Sequence, residues 1–164
     1  RVTVLPTDER WVGEDSSRSN ARLIRQRLLT GPAAAATLLP LYRAGITPED
    51  AVEDVAGSIA PRLPLDVVLL GMGADMHTAS LFPGAPGLEA ALASSARPVA
   101  VLRPEGEPEP RISLTRPVLA GALSTHILIT GAEKRAALER AEHLPVAQAP
   151  VHAVLTDAII HWAE

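Results

Sequence analysis

Two apolar runs constrain this chain more than any other feature: Asp66-Val67-Val68-Leu69-Leu70-Gly71 and Ser124-Thr125-His126-Ile127-Leu128-Ile129-Thr130. Consecutive apolar residues without polar alternation are the pattern of a strand buried on both faces of a parallel sheet. Parallel neighbours need crossover connections, and helix signals lie between and around the runs. Thr47 is placed as a cap, Pro48 at the first helical position, and Glu49 and Asp50 against the positive end of the dipole, with Ala51, Val52, Val55 and Ile59 on one face and Pro61 as the stop. A second helix is expected to start near Ser16 or Ser17, with Ala21, Ile24 and Leu28 at helical spacing. Shorter strands are expected at 2–6, 98–102, 111–115 and 158–163, and helices at 116–121 and from Gly131 to about Glu142. Residues 31–36 and 103–110 read as loops, the latter with three prolines and three glutamates, and 146–154 is punctuated by proline. Alternating strands and helices predict an α/β fold, a three-layer sandwich with a largely parallel, Rossmann-like sheet.

No internal repeat or composition break divides the chain, so residues 1–164 read as one domain. It begins at Arg1, without an initiator Met, on a strand already under way, and the expectation is that its amino-terminal part is missing. No run of 18 apolar residues occurs and no leader pattern opens the chain, which predicts a soluble, cytoplasmic protein without membrane contact. The absence of cysteine excludes a disulfide framework, a thiolate metal site and a cysteine nucleophile. A net charge of −4 with only four aromatic residues, Trp11, Tyr42, Phe82 and Trp162, argues against nucleic acid as a partner. The basic residues are 14 Arg and a single Lys, Lys134.

In parallel sheets ligands sit beyond the carboxyl ends of the strands. Beyond residue 70 lies Gly71-Met72-Gly73-Ala74-Asp75-Met76-His77-Thr78-Ala79-Ser80-Leu81-Phe82-Pro83-Gly84. Gly71 and Gly73 permit a tight turn whose amide groups can face an anion. Asp75, two residues before His77, can fix the tautomer of the imidazole or raise its basicity. An Asp-x-His on a loop is also met as a histidine bonded to a neighbouring carbonyl, and Asp75 alone can satisfy amides of its own turn.

This segment resembles the signature of the 6-phosphogluconolactonases, within the larger family that includes the glucosamine-6-phosphate deaminases. Asp8-Glu9-Arg10, the helix start Asp15…Ser19-Asn20, Arg111-Ile112-Ser113-Leu114-Thr115 and Gly131…Lys134 follow the family's order, so the resemblance covers most of the chain. The deaminase branch is expected to follow the histidine with an Ile-Ala-Phe-Asn-Glu-Pro type of segment. Here Thr78-Ala79-Ser80-Leu81-Phe82-Pro83 resembles the lactonase branch. The resemblance implies hydrolysis of 6-phosphoglucono-1,5-lactone to 6-phosphogluconate, with no cofactor and no metal. The alternatives are an amino-sugar-phosphate deaminase or isomerase, and a sugar-phosphate-binding module without turnover.

On the lactonase reading His77 is the general base and Asp75 orients it or bonds a substrate hydroxyl. Arg10 and Lys134 are the candidates for the substrate phosphate, with Arg111 as a secondary one and Gly71 and Gly73 lining the substrate. Apart from the resemblance, Arg10 would pair with Asp8 or Glu9, Arg111 with an acidic neighbour, and Lys134 would be a solvated lysine. Ser80 has no nucleophile elbow around it and is expected to cap the following turn. The five histidines (77, 126, 143, 152 and 161) show no metal-binding spacing; His126 and His161 are expected to be structural, and Trp11 and Trp162 to pack in the core or at its rim. Two departures stand out. Met76 occupies a position where the family has glycine, which strains the backbone if φ is positive there. The family's glycine/serine-rich phosphate loop, which precedes the segment that opens this chain, has no match in it.

Overall fold

The computed structural model describes residues 2–164. The elements in chain order are β1 (Thr3–Val4), β2 (Asp8–Arg10), α1 (Asn20–Arg27), β3 (Thr37–Leu38), α2 (Pro48–Ile59), β4 (Val68–Leu70) and α3 (Leu88–Leu92). They continue with β5 (Val99–Leu102), β6 (Arg111–Leu114), α4 (Arg116–Ala120), β7 (Thr125–Thr130), α5 (Ala132–Ala141) and β8 (Ala158–Ala163). Short 3-10 turns occupy Gly31–Ala35, Ala60–Arg62 and Pro150–Val154.

The α/β architecture matches the expectation: β1 pairs with β3, and β4, β7 and β8 form a second sheet, all in parallel. The sequence reading did not separate a third sheet, in which β6 lies between β2 and β5 with both neighbours antiparallel. Residues 8–10, which follow the first expected strand, are assigned no element by the sequence. They form β2 because Leu114 donates its N–H back to Thr7 and the chain then runs along β6. Every residue of β6 is buried, including Arg111.

α2 forms where its caps and stripe place it. Thr47 accepts the N–H of Asp50 at 3.2 Å, and Ala51, Val55 and Ile59 are fully buried. α1 starts later than expected, at Asn20. The Ser16 hydroxyl instead accepts the Arg18 N–H in a local turn, and Ser19 is the cap, accepting from Arg22. The deciding group is Glu9. Its buried carboxylate accepts N–H groups of Asn20 at 2.7 Å, Ala21 at 2.8 Å and Arg10 at 2.9 Å, and the Ser19 hydroxyl at 3.2 Å. Unpaired amides at a helix start are thus satisfied by a residue of β2, which ties α1 to the antiparallel sheet.

Burial raises the Glu9 pKa above the ordinary carboxylate value, outweighing the hydrogen bonds that work the other way. The folded state therefore binds this proton more tightly than the unfolded chain. The Glu9 contribution to stability falls as pH rises from the ordinary carboxylate value through the raised one. Glu9→Gln presents an amide donor where the site offers only donors, and is expected to cost about 1–3 kcal/mol in urea unfolding. It also removes that part of the pH dependence.

The core lies between the sheets and α2, around Leu41, Ile59, Leu70, Leu102, Ile112 and Ile127. The expectation that β4 is buried on both faces does not hold. Val68 and Leu70 point into the core, whereas Val67 and Leu69 are more than half exposed, as are Leu128 of β7 and Ile159 of β8 on the same side of the sheet. None of the described elements packs over that face. A groove of about 820 Å³ continues from it between β1, α1 and β4. No helix among the described residues is long and apolar enough to cross a membrane.

Candidate active site

β4 and β7 are parallel neighbours, so the segments that leave them, Gly71 onward and Gly131 onward, emerge at the same end of the sheet. The first folds into a closed turn: Gly73 donates its N–H to the His77 carbonyl at 3.0 Å, and Met76 donates to the Gly73 carbonyl at 2.9 Å. Within it, His77 Nδ1 lies 2.6 Å from Asp75 Oδ1, with the imidazole mostly shielded and the carboxylate half exposed. The alternative of a histidine bonded to a backbone carbonyl is not what is observed. An ionised carboxylate only accepts, so Nδ1 carries the proton and Nε2 presents a lone pair.

Two glycine positions in the motif act differently from each other. At Gly73 a Cβ would collide with Cε1 and Nδ1 of His77 and with Oδ1 of Asp75, so glycine makes room for the dyad, while its N–H is committed to the turn. Gly71 has open space around it, and its carbonyl accepts the Thr78 hydroxyl at 2.8 Å. Met76 does adopt the positive φ, 67°, that favours glycine. Such a residue costs about 1–2 kcal/mol. The Met76 side chain packs against the core, and its carbonyl accepts the Val151 N–H at 3.1 Å, so surrounding contacts hold the turn in place.

The segment after His77 crosses to the antiparallel sheet. Ser80 is fully buried and does not cap a turn with its side chain. Its hydroxyl donates to Asp8 Oδ2 at 2.6 Å, and its N–H donates to the Ser113 hydroxyl at 3.2 Å. This anchors Phe82, whose ring stacks on the His77 imidazole with centroids 4.0 Å apart. The Arg111 guanidinium lies 6.0 Å from the same ring. The sequence assigns neither Phe82 nor Asp8 a role in the site, and Ser80 only that of a turn cap. Ser80–Asp8 joins residues 72 positions apart, for which no local pattern exists.

Arg10 and Arg111 are directly opposite each other on β2 and β6. Arg111 pairs with Glu107, which also binds Arg18 at 3.2 Å; burial works against the Glu107 charge, but these two guanidinium groups hold its carboxyl below the ordinary value. Arg10 pairs with neither Asp8 nor Glu9. Its Nη1 donates to the Arg18 carbonyl at 2.9 Å and to Asn20 Oδ1 at 3.0 Å. The Nε groups of both arginines are buried without an acceptor among the described residues. Like charges opposed on neighbouring strands are destabilising. Lys134 stands half-buried in the first turn of α5, and no described carboxylate lies within ion-pair distance of it.

Elsewhere, His126 and His161 lie on the open sheet face with Nδ1 and Nε2 2.9 Å apart. Trp11 packs edge-on against Tyr42, and Trp162 donates to the Gly131 carbonyl at 3.1 Å. Among the described residues no group of three or more His, Asp or Glu side chains converges as a metal site.

The fold and this site together define an α/β protein with an oriented histidine beyond the strand ends and cations grouped nearby. The profile of one family, the glucosamine-6-phosphate isomerases/6-phosphogluconolactonase, matches residues 1–162. The chain is 43% identical over 172 residues to the 6-phosphogluconolactonase of Rhizobium meliloti strain 1021, covering 99% of this chain and 73% of that one. It is 40% identical to the 6-phosphogluconolactonase of Pseudomonas putida, covering 99% of this chain and 68% of the relative. Among solved structures, a 6-phosphogluconolactonase from Shewanella baltica superposes with a TM-score of 0.93 at 32% identity, over 99% of this chain and 72% of that one. The chain belongs to the glucosamine-6-phosphate isomerase/6-phosphogluconolactonase family.

Proposed function

We propose that this protein hydrolyses 6-phosphoglucono-1,5-lactone to 6-phosphogluconate, the lactonase step of the oxidative pentose phosphate pathway. The observation that carries this reading is His77, held by Asp75 with Nε2 free and stacked on Phe82, whose ring lies 6.0 Å from the Arg111 guanidinium. The names of the relatives support it. So does the segment from Thr78 to Pro83, which resembles the lactonase branch and not the deaminase branch.

His77 Nε2 takes a proton from water as the water oxygen bonds to the lactone carbonyl carbon. Asp75 stabilises the imidazolium that forms. When the tetrahedral intermediate collapses, the bond from that carbon to the ring oxygen breaks, and the imidazolium returns its proton to the departing oxygen. The new carboxyl group then ionises and releases acid. Arg10 and Arg111 hold the phosphate, whose charge neutralises the two opposed guanidinium groups. Lys134 adds a third cation at a helix start, where an anion is favoured. Gly71, open on the substrate side, lets the lactone approach the backbone. A cytoplasmic location and a small-molecule substrate, with no nucleic acid or membrane partner, are part of the same proposal.

The test is acid release from freshly prepared 6-phosphoglucono-1,5-lactone at near-neutral pH, with spontaneous hydrolysis subtracted. Acceleration without ammonia release from glucosamine 6-phosphate supports the lactonase reading. Binding of the sugar phosphate without turnover would replace it by a binding module. Lys134→Ala is expected to weaken binding by about 1.5–3 kcal/mol, the value of a charge-assisted hydrogen bond, read as a rise in the dissociation constant for 6-phosphogluconate. Equal affinity of the parent for phosphorylated and unphosphorylated sugar acids would rule out the phosphate site.

A further inference from the structure

A hydrogen bond at Nδ1 locates one edge of the His77 ring, yet it leaves the ring free to tilt about that contact. The tilt is set elsewhere. Phe82, the single phenylalanine of the chain, stacks on the imidazole with 24° between the planes. Phe82 is half-buried, and the segment that carries it is fastened both to the antiparallel sheet and, through the Leu81 N–H on the Thr78 carbonyl at 2.9 Å, to the residue after His77. Ser80 bonds Asp8 and Ser113, Leu81 is fully buried, and Phe82 donates its N–H to the Ser80 carbonyl at 3.1 Å. The same ring lies 6.0 Å from the Arg111 guanidinium. One side chain therefore stacks on His77, in the turn after β4, and faces Arg111 of β6 at 6.0 Å.

We propose that Phe82 is a positioning residue, fixing the plane of the His77 imidazole and its separation from Arg111, so that the lactone carbonyl meets Nε2 while the phosphate is held. This deepens the lactonase reading and rests on it. Displacement of a catalytic group by about 1 Å can cost about 100-fold in rate. Phe82→Leu keeps an apolar side chain but removes the flat face; Phe82→Tyr keeps the face.

Steady-state kinetics on the lactone are paired with NMR of the His77 ring protons, which a stacked aromatic ring shifts upfield. In Phe82→Leu, kcat is expected to fall about 10- to 100-fold with KM little changed, and the His77 ring resonances to move downfield. Phe82→Tyr is expected to keep both near the parent values. A parent-like kcat in a folded Phe82→Leu would overturn the proposal, as would an equal loss in Phe82→Tyr or His77 resonances that do not move. A parent that does not turn over the lactone would overturn the lactonase reading instead. The two failures are distinguishable because the resonances report the stack whether or not turnover occurs.

Discussion

His77→Ala is expected to lower lactone hydrolysis by about 10²- to 10⁴-fold, the contribution of a positioned general base, while affinity for 6-phosphogluconate stays close to that of the parent. The separation of rate from affinity follows from the geometry. The groups assigned to the phosphate, Arg10, Arg111 and Lys134, lie on β2, β6 and α5, whereas His77 belongs to the turn after β4. Removing the imidazole leaves Asp75 half exposed and solvated, so no buried charge is stranded and the fold is expected to survive. The measurement is kcat by acid release beside the dissociation constant of the product. An unchanged rate would remove His77 from the mechanism, and an equal loss of affinity would make it a binding group.

Gly73→Ala is the second large effect, and it tests the arrangement rather than the chemistry. One methyl group would overlap both members of the dyad, which must move apart for the methyl to fit. The turn itself offers little room to adjust, since the Gly73 N–H and C=O both close it onto Met76 and His77. The expected result is a loss of kcat of about 100-fold, approaching that of His77→Ala, because the base is displaced by an ångström or more. Overpacking costs about 1–3 kcal/mol of stability. Activity near that of the parent would show that the imidazole works from another position.

Residues close in sequence carried most of what could be read directly. Thr47, Pro48 and the Ala51–Val55–Ile59 stripe define α2, because caps and helical periodicity act over a few residues. Asp75 and His77 meet for the same reason: two positions apart in one turn, they need no distant partner. At Met76 the resemblance makes strain conditional on a positive φ, and the backbone there does take one, which glycine accepts without cost. Ser16 and Ser17 illustrate the limit. Either is a competent cap, yet α1 begins at Asn20 because a carboxylate from β2 satisfies its amides.

The chain's own pattern thus determined the α/β class, most elements and the meeting of Asp75 with His77, all products of local hydrogen bonding and periodicity. Tertiary structure alone decided that β2, β5 and β6 form an antiparallel sheet, that one face of β4 is open, and that Arg10 is opposite Arg111. It also set Phe82 between His77 and Arg111, and Ser80 against Asp8. These contacts join residues far apart in the chain. Which strand pairs with which, and which donor finds an acceptor, depends on how whole elements pack, so their physical cause is the burial that assembles the core around them.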